Sequence, residues 1–205
     1  MTCKHHGCNL PKNERLLTVP TLITAVRTVF CAVFVGMYIA TQKVEWLFVG
    51  LAAYWLGDVA DGFIARRFGL ETRTGAVLDI LCDRFCVTLV YGSYMAFNPQ
   101  FVVPLLIYIG NFLVIDNYLS LIFIHWPLLS PNYFYLVDKK LYNLNWSPLG
   151  KMANSSLVFI VMVMTQSVWF VGVVATVGLV IKVYSLVRLR TRISIPEPSG
   201  CCSRL

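Results

Sequence analysis

The chain has 205 residues, of which 58% are hydrophobic and 13% charged, with a formal net charge of +7. Soluble globular chains are about 45–50% apolar and about 25% charged. This composition therefore excludes a disordered protein, a soluble nucleic-acid binder and an ordinary cytosolic enzyme, and leaves an integral membrane protein with several spans. The basic residues sit between long apolar runs, as in loops facing an anionic leaflet, so no nucleic acid is expected as a partner. The seven cysteines are an odd number. Cys31, Cys82 and Cys86 fall inside apolar segments, where a thiol packs as a small hydrophobe, and no disulfide framework is legible.

Residues 1–15 are polar and carry Lys4, Lys12 and Arg15. The apolar run that follows is too long for a signal-peptide core and no small-residue cleavage site closes it, so it reads as a retained first span. Six runs approach the roughly 18 residues that cross a bilayer as a helix, namely 17–40, 46–66, 75–97, 101–124, 153–170 and 171–187. All must be helical, because the bilayer core offers no water to backbone groups. The break between the last two rests on Ser167 and Gly172 alone. The expected fold is an all-α integral membrane protein with six transmembrane helices in residues 16–190, and a disordered basic tail over 191–205 containing Pro196, Pro198 and Gly200. Residues 126–150, rich in aromatics, Pro and Asn, are expected to carry a short interfacial helix around 133–142.

Basic residues set the orientation. Lys4, Lys12, Arg15, Arg66, Arg67, Arg73, Lys139, Lys140, Lys151, Arg188, Arg190, Arg192 and Arg204 all fall on one side of a six-span chain, and Lys43 alone on the other. Both termini are therefore expected to be cytoplasmic. The protein is expected to be multi-pass, in the plasma membrane if the source is bacterial.

The second and third spans contain Asp58, Asp61, Asp79 and Asp83. A charge at the centre of a membrane helix costs on the order of 2.5–3.5 kcal/mol, so something must compensate four of them. Asp58 and Asp61 are three residues apart, with Gly62 and Ala65 continuing their face; Gly75, Asp79 and Asp83 follow at four-residue steps on the next span. The connection is short, so two acidic faces meet. Two divalent cations would cancel four carboxylates, and oxygen-only ligands favour Mg²⁺ or Mn²⁺. Such a pair of ions is a clamp for phosphoryl transfer. Gly62 and Ala65 leave a groove for a flat group, Gly75 allows close helix packing, and Arg66 supplies a permanent cation for a phosphate oxygen. A lone intramembrane Asp often serves only as an interhelical hydrogen-bond partner, a role that four on two matched faces do not fit.

The stretch from Asp58 to Arg66, then eight residues, then Gly75 to Asp83, resembles the signature of the CDP-alcohol phosphotransferases, D-x2-D-G-x2-A-R-x8-G-x3-D-x3-D, at all its fixed positions. The resemblance implies transfer of a phosphoryl-alcohol group from a CDP-linked donor to a second alcohol, with release of CMP. It implies that Asp58, Asp61 and Asp79 are metal ligands, and that Asp83 completes the metal site and acts as general base. It places Gly62 and Ala65 against the cytidine, Arg66 on donor phosphate and Gly75 in the same donor site. Homodimers are common in the family. The short chain resembles the branch that uses CDP-diacylglycerol and a small polar acceptor, with an active site at the cytoplasmic surface.

The acceptor is open. Arg84 after Asp83 resembles the inositol and inositol-phosphate enzymes, whereas the segment from Pro20 to Arg27 and the Leu149-Gly150-Lys151 triplet resemble the glycerol 3-phosphate enzymes. Arg84, Arg27 and Lys151 are the candidate acceptor-binding cations, with Lys139 and Lys140 explained by the positive-inside rule alone. Arg27 and Arg84 lie within spans, so each needs an anionic partner. Asp116 and Asn117 in the fourth span suit a packing or dimer hydrogen bond, or an acceptor pocket. Cys3, His5, His6 and Cys8 form too short a cluster to imply a metal site, and Cys201 and Cys202 only formally resemble lipidation signals. Two rivals remain: a cation- or proton-coupled transporter using the intramembrane carboxylates, and an inactive scaffold.

Overall fold

The structure is a computed structural model and describes residues 17–193. The polar segment 1–15, the Cys3–Cys8 cluster and the tail with Cys201 and Cys202 lie outside the described residues. Among the described residues there are helices and no strand. They divide into two compact units, one ending at Pro99 and the other beginning at Gln100.

The first unit is three long helices, α1 (Val19–Thr41), α2 (Glu45–Arg67) and α3 (Arg73–Phe97). Thr18 caps α1 by accepting the Thr21 N–H, and Pro20 suits the first turn, where no N–H is needed. Thr24, Arg27, Cys31, Val35 and Tyr38 form its buried stripe, stepping by three or four residues, while Leu22, Val26, Val29 and Val33 face outward. That outward apolar face suits lipid rather than water. Two glycines on α2 let α1 approach. A Cβ on Gly50 would lie 3.2 Å from Phe34 Cβ, and a Cβ on Gly57 would lie 2.7 Å from both Cβ and Cδ of Arg27. Gly50 and Gly57 are thus one heptad apart against Phe34 and Arg27, also one heptad apart.

The α2–α3 turn satisfies its own polar groups. Gly69 takes φ +62° and the Leu70 N–H returns to the Ala65 carbonyl at 2.9 Å, closing α2 with a Schellman turn. Thr72 then caps α3 by accepting the Gly75 N–H at 3.0 Å. A Cβ on Gly75 would stand 2.7 Å from that Thr72 hydroxyl. The bare position at Gly75 therefore serves the cap of its own helix. The same Cβ would stand 3.9 Å from the Thr21 hydroxyl of α1, an ordinary contact distance.

A helical rod, Pro99–His125, belongs to the second unit in all but its first residue and is made of a 3₁₀ turn, α4 (Val102–Gly110), a π-helical turn (Asn111–Asp116), α5 (Asn117–Leu121) and a second 3₁₀ turn (Ile122–His125). The 126–150 segment carries a 3₁₀ turn at Pro131–Leu136 and α6 (Lys139–Asn145), in place of one helix around 133–142. Asp138 divides them, because it caps α6. Next come α7 (Pro148–Ser155) and α8 (Leu157–Thr165), bent by 48° with respect to each other, and α9 (Val168–Arg192). The last break falls at Gln166, which is left-handed at φ 48°, and Gly172 lies inside α9. The expected division at 170/171 is corrected accordingly.

Four helical segments, Val19–Thr41, Glu45–Arg67, Pro99–His125 and Val168–Arg192, are long and apolar enough to cross a membrane, and the bent pair α7–α8 would make a fifth. The 25 residues of α3 match these in length but include Arg73, Asp79, Asp83 and Arg84.

Asp138 accepts the Leu141 N–H and an Arg188 N–H, each at 2.8 Å. Burial works to raise its carboxyl, but the Leu141 amide and the Arg188 guanidinium outweigh it and hold the group below the usual carboxylate range. A carboxyl lowered on folding adds stability that is present above its unfolded pKa and is lost as pH falls through the folded one. Asp138→Ala should therefore cost about 0.5–2 kcal/mol through the cap alone. Asp138→Asn, which keeps the cap, should differ from the parent at neutral pH and converge on it as pH falls through the lowered pKa of the carboxyl. Thermal unfolding in detergent across pH measures both.

Candidate active site

Asp58 and Asp61 lie in the C-terminal half of α2, and Asp79 and Asp83 in the first half of α3, so the tight turn brings the four carboxylates together. Arg27 reaches into them from α1. Its Nη2 donates to Asp79 and, at 2.9 Å, to Asp83. Its Nε stands 3.2 Å from Asp61 and its Nη1 3.6 Å from Asp58. The guanidinium also lies 5.1 Å from the centre of the Tyr54 ring, and Nη1 donates to the Tyr54 carbonyl at 3.5 Å. Only 3% of the Arg27 side chain is exposed. The sequence requires an anionic partner for this intramembrane cation; the structure gives it four, and sets Arg27 among the candidate metal ligands.

The carboxylates are graded in exposure. Asp61 is 5% exposed and is fixed by the Thr24 hydroxyl, which donates to it at 2.8 Å. Asp83 is 24%, Asp79 33% and Asp58 39% exposed, so the cluster is open on one side. Asp58, Asp61 and Asp79 each offer an oxygen, all within 4.8 Å of one another, which fits a hard divalent cation. Asp83 lies outside that triad and joins it through Arg27. Four carboxylates outnumber the one guanidinium set among them. Arg27 alone does not balance the site.

Around the cluster, the Arg66 guanidinium folds back over its own helix, and a Cβ on Gly62 would meet its Nη1 at 3.2 Å. Arg66 is exposed, and Gly62, Ala65 and Gly75 are half-buried. Arg84 is buried in α3, where its charge acts on Asp83. Lys151 is exposed on α7 and belongs to the second unit. Residues that the motif does not contain complete the site: Thr24, Tyr54 and Gly57. Thr24 and Arg27, three residues apart in an apolar helix, carried a signal in their spacing; Gly57 carried only its place before Asp58.

Comparison with known proteins gives a family for the segment that carries these residues. The sequence model of the CDP-alcohol phosphatidyltransferases matches residues 17–128, more than half of the chain. The chain belongs to this family. Curated relatives from Mycobacterium bovis and Mycobacterium tuberculosis, each named "Putative cardiolipin synthase", are 33% identical over 82 residues, or 38% of this chain. The chain spans 39% of the length of those relatives. No solved structure matches it. CDP-alcohol phosphatidyltransferases use divalent metals, and the Asp58–Asp61–Asp79 triad fits that requirement with oxygen ligands alone.

The contact at Gly57 can be tested. Gly57→Ala would push a methyl group against the root of the Arg27 side chain, which cannot yield as a flexible tip would, and should destabilise the protein by about 1–3 kcal/mol. Gly92→Ala on α3, where an added Cβ meets nothing within 4 Å, should be neutral or stabilising. Thermal unfolding of the two variants side by side decides it.

Proposed function

We propose that the protein transfers a phosphatidyl group from CDP-diacylglycerol to the hydroxyl of a small polar alcohol, with release of CMP, as a step of phospholipid biosynthesis. One observation carries the reading: four carboxylates, in the spacing of the family's signature, converge on one side of a three-helix unit with an excess of negative charge. In this reading the acidic cluster lies toward the cytoplasmic face of a six-span protein whose two ends are both cytoplasmic, so that lipid tails stay in the bilayer while a polar acceptor enters from water. Two copies of the chain could pair without altering this chemistry.

Asp58, Asp61 and Asp79, with Asp83 beside them, would hold divalent Mg²⁺ or Mn²⁺, which when bound neutralises charge on the pyrophosphate of the donor. Gly62 and Ala65 leave the surface of α2 low for the cytosine ring, and Arg66 meets a donor phosphate oxygen. Asp83 takes the proton of the acceptor hydroxyl as its oxygen attacks the phosphorus that bears diacylglycerol. The bond from that phosphorus to the CMP oxygen breaks, and CMP leaves with the electron pair. Arg27 holds Asp79 and Asp83 in place before substrate arrives, while Arg84 remains the acceptor-side cation of the first unit. Inositol, inositol 1-phosphate and glycerol 3-phosphate are the acceptors favoured by the sequence.

The test is CMP release from CDP-diacylglycerol in detergent with Mn²⁺ or Mg²⁺, with each acceptor supplied separately. One acceptor should support release. Asp83→Asn should lower the rate by about 10²–10⁴-fold, the usual worth of a positioned base. Metal-independent nucleotide binding, or no nucleotide binding at all, would sink the enzyme reading and favour a transporter. A second measurement addresses the charge balance. Arg27→Gln should lose on the order of 3–5 kcal/mol of stability in chelator, the scale for breaking a buried ion pair. Part of that loss should return when Mg²⁺ or Mn²⁺ is added, as followed by thermal unfolding.

A further inference from the structure

The second unit contains its own buried polar cluster, unrelated to the signature. Lys182 of α9 is 1% exposed and forms an ion pair with Asp116 at 2.5 Å. Its Nζ also donates to Asn145 Oδ1 at 2.7 Å, and Asn145 Nδ2 donates to Ser185 Oγ at 3.0 Å. Asp116 and Lys182 line one end of a cavity of about 400 Å³ that is otherwise mainly apolar, walled by side chains such as Phe112, Leu157, Val174 and Ile181. That volume lies in the lower range of small-molecule pockets.

The π-helical turn shapes the polar end. Asn111 and Asp116 are five residues apart, which in an α-helix sets side chains about 140° apart around the axis. The π-helical turn over Asn111–Asp116 closes through five-residue hydrogen bonds, and both side chains line the cavity. Asn111 is only 8% exposed, and its Oδ1 is buried without a hydrogen-bond partner. A buried carbonyl oxygen left unpaired is costly, and the group it lacks is a donor.

We propose that this cavity binds a neutral amphiphile: a single aliphatic chain ending in a hydroxylated, uncharged head, of the monoacylglycerol type. Charge decides against an anionic head. Asp116 and Lys182 are the charged residues lining the cavity and they neutralise each other. A phosphate or carboxylate would meet no free cation, and a hydroxyl supplies the donor that Asn111 lacks. The aliphatic part fits the apolar walls. The site lies wholly within the second unit and its occupation does not depend on the transfer reaction proposed above.

The experiment uses the full-length protein in lipid nanodiscs and a photoreactive 1-monoacylglycerol probe with a diazirine in its chain. Labelling should saturate, map to peptides of α4, α8 and α9, and be displaced by unlabelled 1-oleoylglycerol. Methyl oleate, which has no donor, and oleate, which is charged, should compete at least tenfold less well. Asn111→Leu should weaken labelling roughly tenfold. Gly178→Leu gives a second variant: Gly178 lines the cavity, and a Cβ there meets nothing within 4 Å. It should abolish labelling while leaving thermal stability unchanged or raised. Labelling that does not saturate, or that survives Gly178→Leu, overturns the site. Equal competition by methyl oleate overturns the recognition of a hydroxyl. CMP release is measured in parallel on the same samples, so failure of the enzymatic reading leaves this outcome intact.

Discussion

Arg27 is the residue on which the first unit turns. Four carboxylates within a few ångströms repel one another, and the repulsion grows as water is excluded. One guanidinium among them makes the three-helix arrangement possible without making it neutral. The planar fork, with donors pointing in several directions, lets a single side chain reach carboxylates on two other helices at once. The geometry follows from this need. Arg27 crosses above Gly57, the one place where α2 carries no side chain in its path, and Thr24 one turn away ties Asp61 to the same helix. Asp58 and Asp79 are the most exposed of the four carboxylates and form the side that a cation can reach.

The second unit solves the same problem differently. Asp116 and Lys182 form an ion pair; Lys182 also donates to Asn145, which in turn donates to Ser185. The pair is almost fully buried, and its charges cancel. One cluster is left charged and open on one side, suited to ions and phosphates; the other is balanced and borders an apolar cavity, suited to neutral groups. The two units share helical architecture and lipid-facing surfaces but differ in the chemistry that their interiors admit.

Much of the first unit was legible because its information is local. Residue steps of three and four place Asp58 with Asp61 and Asp79 with Asp83 on single faces, and the short link between the spans makes those faces meet. The helix boundaries of α1 to α3 also fell within a few residues of the apolar runs. What could not be read was information carried between helices. Spacing shows that Arg27 needs an anion, but not which, since its depth relative to Asp79 depends on how α1 crosses α2. Gly57 and Gly75 look alike in the sequence, yet one clears the way for a side chain on α1 and the other for a cap hydroxyl on its own helix. The last break was misplaced because it is made by Gln166 in a left-handed conformation that glycine usually adopts. The π-helical turn and the isolated Lys182 left no periodic trace at all.

The order of the chain has a consequence for biogenesis. Arg27 is synthesised before every one of its partners, so α1 enters the membrane bearing a cation with nothing to meet it. An unpaired arginine at the centre of a span is unfavourable by about 2.5–3.5 kcal/mol on insertion scales. The α2–α3 hairpin, whose turn is capped by Gly69 and Thr72 without outside help, bears the opposite defect in four acidic groups. Neither piece is at home in the bilayer alone. Each corrects the other, and the three helices reach a settled state in the membrane only when they do so together.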